Sequence, residues 1–270
     1  MAASVPVGPD PAYDHGMCGR FVTSSTAAQV AAYFDAEITS ERLLGREPNF
    51  NVAPTTDVAV VVEREGRRGL ALRRWGLVPT WAKDVSVAAK MINARVETAA
   101  TKPSFRSAFS KRRCIIPVDG FYEWKAPSGG SRKQPYFITR RDREPLAFAG
   151  LWESWKDPVV AAVGEPSTPL LTCSILTTEA TGPMAQVHHR MPVLLGPDSW
   201  DAWLDESVTD SDQVQGMVVP PPDDLLEMWP VSTAVNSVRN KGPELLDPVE
   251  LDPADPDPAG GAEGGAPTLF

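Results

Sequence analysis

The sequence predicts an α+β fold, a single β-rich domain with a few peripheral helices, on three grounds. Short runs of β-branched and aromatic residues recur along the chain, separated by Gly, Pro and Ser turns, as sheets and barrels require. Helical stretches are the minority. At 270 residues and 42% hydrophobic composition, the chain can bury one sizeable core and carry a tail besides.

Taken in order, Thr26 can cap a helix over residues 27–34, because its hydroxyl can accept from an amide of the first turn. Residues 58–63 and 70–75 read as two strands around a turn containing Gly66. A helix is expected over 104–111, then strands over 114–118, 121–125, 136–140, 146–152 and 170–177. Helices at 199–204 and 223–227 follow. The domain is expected to span 17–247, followed by an acidic, Pro/Gly-rich tail over 248–270 that is expected to be disordered. Residues 1–16 are rich in proline and small residues and lack an apolar signal region.

Composition excludes several classes. With no run of 18 apolar residues, no membrane-spanning helix and no membrane partner are expected. Cys18, Cys114 and Cys173 show no CxxC spacing, so neither a disulfide framework nor a metal site is suggested, and a reduced, cytoplasmic setting fits. The net charge of −9 conceals a segregation along the chain. Residues 17–197 hold 24 Lys/Arg against 17 Asp/Glu, whereas residues 198–270 hold 2 against 16. A basic body with an acidic end suggests a polyanion partner, the alternative being solvated surface arginines.

Four segments carry candidate chemistry. Met17-Cys18-Gly19-Arg20-Phe21 places a cysteine behind a methionine that could be a translation start. A chain opening at Cys18 would carry an α-amine and a β-thiol on adjacent carbons, the pair that condenses with an aldehyde into a thiazolidine ring. Both groups have a reactive, unprotonated fraction at cellular pH. A small buried cysteine after an internal methionine is the alternative. Asn93-Ala94-Arg95-Val96-Glu97 places Asn93, Arg95 and Glu97 on one side of an extended segment, as a functional row or as a strand edge with a salt bridge. Glu123 lies between Tyr122 and Trp124 in a strand-like run, where desolvation would raise its pKa into the range of a general acid; a surface-facing Glu is the alternative. In His188-His189-Arg190-Met191-Pro192, adjacent side chains diverge in a strand, which suits one proton-transfer histidine better than a metal pair.

Together with Asn51-Val52-Ala53-Pro54, Trp75-Gly76-Leu77-Val78-Pro79, Gly120-Phe121-Tyr122-Glu123-Trp124, and a closing Trp229-Pro230-Val231-Ser232 to Asn240-Lys241-Gly242, these segments stand in one fixed order that resembles the SRAP (SOS-response-associated peptidase) family of abasic-site processing proteins. The resemblance spans about residues 17–245. It implies a barrel-like fold with a basic cleft, acting as a monomer near the nucleoid. Its N-terminal cysteine would trap abasic sites in single-stranded DNA as a covalent crosslink, without cofactor or metal. By the same resemblance Glu123 and His188 serve proton transfers and Asn93 orients Cys18 or the sugar. Arg20 and Arg95 would bind flanking phosphates. Trp81 would either stack on a base or belong to the core.

One departure from the family pattern is that 16 residues precede Met17, so the extension is expected to be non-native or removed. A cysteine peptidase, with Cys18 as nucleophile and His188 as base, is a competing reading, and a non-enzymatic single-strand binder is another. The terminal Leu269-Phe270 pair resembles the end of the short motifs that dock on the replication sliding clamp, although Ala266 stands where glutamine is usual. A functionless, solvated tail is the alternative.

Overall fold

The computed structural model describes residues 18–126, 133–162 and 168–251. Residues 1–16, most of the expected tail, and Leu269 and Phe270 with it lie outside the described residues. The strands are β1 (Phe21–Thr23), β2 (Glu37–Ile38), β3 (Asn49–Val52), β4 (Asp57–Arg64), β5 (Arg67–Trp75), β6 (Asn93–Arg95) and β7 (Arg113–Val118). They continue as β8 (Gly120–Lys125), β9 (Gln134–Arg140), β10 (Leu146–Trp155), β11 (Leu170–Glu179), β12 (Arg190–Pro192) and β13 (Leu226–Pro230).

Strands β11, β10, β7, β4 and β5 are hydrogen-bonded in that order, and β5 pairs back onto β11 in parallel register, Cys173 opposite Trp75, so the sheet closes on itself. A second sheet runs β13-β9-β8-β1-β3. The period-two alternation of strands divides the ring's residues between two faces. Val58, Val60, Val62, Ala71, Trp75, Cys114, Ile116 and Phe148 share one buried cluster with Cys18, Phe21 and Phe121 of the second sheet. Val61, Leu70, Ile115 and Ala149 face the other way, against Phe34, Phe109 and Trp203 of the helices. Phe21 meets Trp75 with ring centroids 4.8 Å apart and Phe121 meets Phe148 at 5.5 Å, so aromatic contacts join the second sheet to the ring. Burying each such ring contributes about 1.5–3 kcal/mol. Cys18 is thereby placed where the two sheets meet.

Local chemistry accounts for most elements. Thr26 caps α1 (Ala27–Tyr33) in a reciprocal box: its hydroxyl accepts from the Gln29 amide, and the Gln29 side chain accepts from the Thr26 amide at 2.9 Å. Gly76 turns the chain out of β5 at φ +118°, where a Cβ would lie 2.6 Å from the Ala88 carbonyl oxygen. The helix expected over 223–227 is not formed. That segment enters β13, whose Met228 and Trp229 pair with Ile138 and Phe137 of β9, and five residues of helical preference do not outweigh a cross-strand ladder with aromatic contacts. Among the described residues, no helix is long and apolar enough to cross a membrane.

Candidate active site

Strand pairing brings Cys18 to Glu123. β1 and β8 are antiparallel, with Phe21 opposite Phe121 and Val22 opposite Gly120, and the Tyr122 amide donates to the Arg20 carbonyl at 3.0 Å. The chain before β1 therefore continues along β8, and the Cys18 backbone nitrogen donates to Glu123 Oε1 at 2.5 Å. Cys18 holds a φ of +49°, a region that side-chain-bearing residues occupy at a cost of about 1–3 kcal/mol.

Burial sets the charge state of the pair. Glu123 is 2% exposed. Desolvation pushes its carboxyl up to about 8, against the lowering effect of the Cys18 and Trp124 amides and of the Lys133 charge. The Cys18 thiol is raised well above its usual value, by burial first and by the charge of Glu123 second. A thiol so raised is protonated at neutral pH, the opposite of the lowered thiolate that a nucleophilic peptidase cysteine needs. Cys114 and Cys173 are free and buried as well.

A second group gathers around the end of β11. Its Ile175–Thr177 stretch pairs with β6, placing Asn93 opposite Ile175 and Arg95 opposite Thr177, while Thr177–Glu179 pairs with β12. The expected alternation of Asn93, Arg95 and Glu97 stops after Arg95, because a short helix begins at Val96. Glu97 instead makes a two-pronged pair with Arg190 at 2.5 and 2.9 Å, and Arg190 also donates to the Thr177 carbonyl at 2.7 Å. Arg190 so ties Glu97, just after β6, to the His188 turn; sequence reasoning had given it no role. His188 precedes β12 rather than lying in it, and its ring stacks on His189 with centroids 4.4 Å apart, contrary to the divergence expected of a strand pair. His188 Nδ1 lies 3.1 Å from the Arg190 amide nitrogen and 3.2 Å from the Arg190 carbonyl oxygen, so the Arg190 backbone holds that edge of the ring in either tautomer. Trp75 links this group to the first, since it packs on Phe21 and donates through Nε1 to the carbonyl of Ile92, next to Asn93.

Arg20 is tied inward. Its Nη1 donates to Asn51 Oδ1 at 2.9 Å and to the Val235 carbonyl at 3.0 Å, and its Nη2 to the Asn236 carbonyl at 3.4 Å. Asn51, 1% exposed, donates through Nδ2 to the carbonyls of Val235, Ser237 and Asn240. These two side chains clamp the closing segment against β1 and β3, a role that only long-range contacts reveal. Arg20→Ala is accordingly expected to destabilise the fold by about 1–3 kcal/mol, because the Asn51 oxygen and the Asn236 carbonyl lose their donor and the Val235 carbonyl keeps only Asn51. Chemical denaturation checks it, and an unchanged midpoint would return Arg20 to a purely DNA-facing role.

Arg95 is exposed. Trp81 is 59% exposed, which removes the core alternative; its loop is held by Trp155, whose Nε1 donates to the Ala82 carbonyl at 2.8 Å. Two concavities of about 320 and 730 Å³ lie elsewhere, and neither is lined by Cys18, Glu123, Asn93 or His188.

Residues 17–238 match the family model described as SOS response associated peptidase (SRAP). The chain is 39% identical over 233 residues to the abasic site processing protein YoqW of Bacillus subtilis, covering 86% of this chain and 99% of that protein. It is 33% identical to the abasic site processing protein YedK of Escherichia coli, covering 86% and 100%. With the abasic site processing protein HMCES of Gallus gallus the identity is 32%, over 87% of this chain and 79% of the relative. Among solved structures, a Bacteroides thetaiotaomicron protein superposes with a TM-score of 0.75 at 23% identity, covering 86% of this chain and all of that one, a likeness of fold. A Bordetella bronchiseptica protein follows at 0.64 and 28%, covering 80% and 100%.

Proposed function

The chain belongs to the SOS response associated peptidase family, and we propose that it responds to DNA damage by capturing abasic sites in single-stranded DNA as a covalent thiazolidine on Cys18. The relatives named abasic site processing proteins support the DNA lesion as partner. The contact that carries the chemistry is the Cys18 nitrogen against Glu123 Oε1 at 2.5 Å.

In the proposed reaction the chain opens at Cys18, so the nitrogen beside Glu123 is an amine. Its reference pKa is about 7.7–8.0, and burial raises the Glu123 carboxyl above the usual carboxylate range. Raising the carboxyl brings its proton affinity towards that of the amine, which lowers the driving-force cost of the transfer. Glu123 takes the ammonium proton, and the amine adds to the aldehyde carbon of the ring-opened sugar. The resulting carbinolamine loses water after protonation by Glu123 or His188, giving a Schiff base. Cys18 Sγ then adds to the same carbon, its proton passing to the carboxylate, and the ring closes. A thiol that stays protonated until this step does not compete with the amine for the aldehyde. The same raised thiol weighs against the peptidase reading.

A denaturing gel tests the proposal. Protein opening at Cys18 forms a heat- and SDS-stable species with single-stranded DNA carrying an abasic site and none with the undamaged strand; equal yields on both would refute it. Intact mass of protein from its native host is expected to match a chain beginning at Cys18. Crosslinking-active protein that retains Met17 would contradict the amine chemistry.

A further inference from the structure

Glu123 is buried on one face of the second sheet, and its sequence neighbours are not on that face. Side chains alternate along a strand, so Tyr122 and Trp124 project away from Glu123. They mark β8 as a buried strand, but they pack with Val22, Phe137 and Val231. Phe121, two residues along, joins Cys18, Phe21, Tyr136 and Ile138 in the other cluster. Register shows which of these stands next to Glu123. Tyr136 of β9 lies directly opposite it, while Phe121 lies opposite Ile138 and Lys125 opposite Gln134. Directly opposed residues share a face, with Cβ atoms about 4.5–5.5 Å apart. Tyr136 is 1% exposed and among the largest fully buried side chains. Its other flank is closed by Pro230 of β13, which lies opposite it and is buried. The Glu123 side chain therefore stands between the Cys18 nitrogen, at 2.5 Å on the β1 side, and Tyr136 on the β9 side. The other charged or titratable groups that bear on it are the Cys18 thiol, Lys133 just before β9, and Lys125 on the same face of β8.

We propose that Tyr136 is a positioning residue for the reaction: its ring, set between Glu123 and Pro230, excludes water from the Glu123 carboxyl and holds it against the Cys18 nitrogen. For its part in the reaction this rests on the DNA-capture reading, whereas the geometry is that of the sheet itself. An aromatic ring supplies a large, stiff apolar wall. Desolvation is the leading cause of the raised Glu123 carboxyl, so the wall that keeps water out also keeps the proton on. A smaller side chain at 136 leaves room beside a polar group, which is where water enters.

Two titrations test it, one without DNA and one with it. In the full chain, the infrared carbonyl band of the protonated carboxyl, assigned by its loss in Glu123→Gln, is followed against pH. In a chain opening at Cys18, the rate of adduct formation with an abasic single strand is followed against pH. Tyr136→Val is expected to lower both the infrared midpoint and the alkaline limb of the rate by about one pH unit or more, equivalent to about a tenfold loss of rate at a fixed pH on that limb. Tyr136→Phe keeps the ring and is expected to titrate with the wild type. If Tyr136→Val does not fold, Tyr136→Leu takes its place with the same expectation. A residue that only supports the fold would lower the melting temperature and leave both titrations in place, which would overturn the positioning role. A Tyr136→Phe that moves as far as Tyr136→Val overturns it as well, since the hydroxyl and not the ring would then matter. A wild type that forms no adduct rejects DNA capture and leaves the infrared midpoint to decide the role of Tyr136. An adduct with unmoved titrations rejects the Tyr136 role alone.

Discussion

Cys18→Ala, in a chain opening at residue 18, yields no heat-stable adduct with abasic single-stranded DNA. The variant keeps an α-amine next to Glu123, so it still reaches the Schiff base. Without Sγ the imine has no route to a ring and is lost to hydrolysis. Borohydride present during the reaction should therefore recover a crosslink from Cys18→Ala, by reducing the imine, while heat alone removes it. Cys18→Ser behaves alike. The size of this effect follows from a covalent step being deleted rather than slowed. A heat-stable adduct from Cys18→Ala in wild-type yield would show that some other nucleophile does the work.

Glu123→Gln slows adduct formation by about 10²–10⁴-fold, the usual contribution of a general acid–base group, without weakening affinity for the undamaged strand. Glutamine keeps an oxygen for the Cys18 nitrogen but cannot take its proton or return it to the departing hydroxyl. In the wild type the acid step needs Glu123 protonated, so the rate falls on the alkaline side of the carboxyl's titration, which burial shifts upward. That alkaline limb should vanish in the variant. Stability separates this role from a structural one. In the full chain, where the Cys18 nitrogen is an amide, the folded carboxyl keeps its proton up to about 8 while the unfolded one ionises near 4.3. The folded state binds more protons in that window, so wild-type stability declines as pH rises through it. Glu123→Gln has no such decline and should be relatively more stable at pH 9 than at pH 4. An unaltered crosslinking rate with only a shifted melting profile would make Glu123 structural.

Much of the framework was legible because it is local. The Thr26 cap, the β4–β5 hairpin and the aromatic, β-branched strands declare themselves within a few residues. Burial of Glu123 was legible for the same reason, from Tyr122 and Trp124 on either side. What escaped depends on distant partners. β1 and β3 are three and four residues long, and they exist as strands because β8 and each other complete their hydrogen bonds. The stretch 223–227 looked helical by composition and was drawn into β13 by β9. Arg20 looked like a phosphate ligand next to a reactive cysteine, yet its guanidinium reaches residues more than 200 positions away. The ion pair of Glu97 with Arg190, 93 positions apart, is a contact of the same kind.

The central claim is that a free Cys18 amine, not the thiol alone, captures the lesion, and intact mass spectrometry of two preparations tests it most directly. One preparation opens at Cys18 and the other retains Met17, with the same abasic strand offered to both. The account predicts that the first gains the mass of the DNA less one water, the balance of amine and thiol condensing with an aldehyde, and that the second gains nothing that survives denaturation. A Met17-retaining protein that forms an equally stable adduct at an equal rate would contradict it.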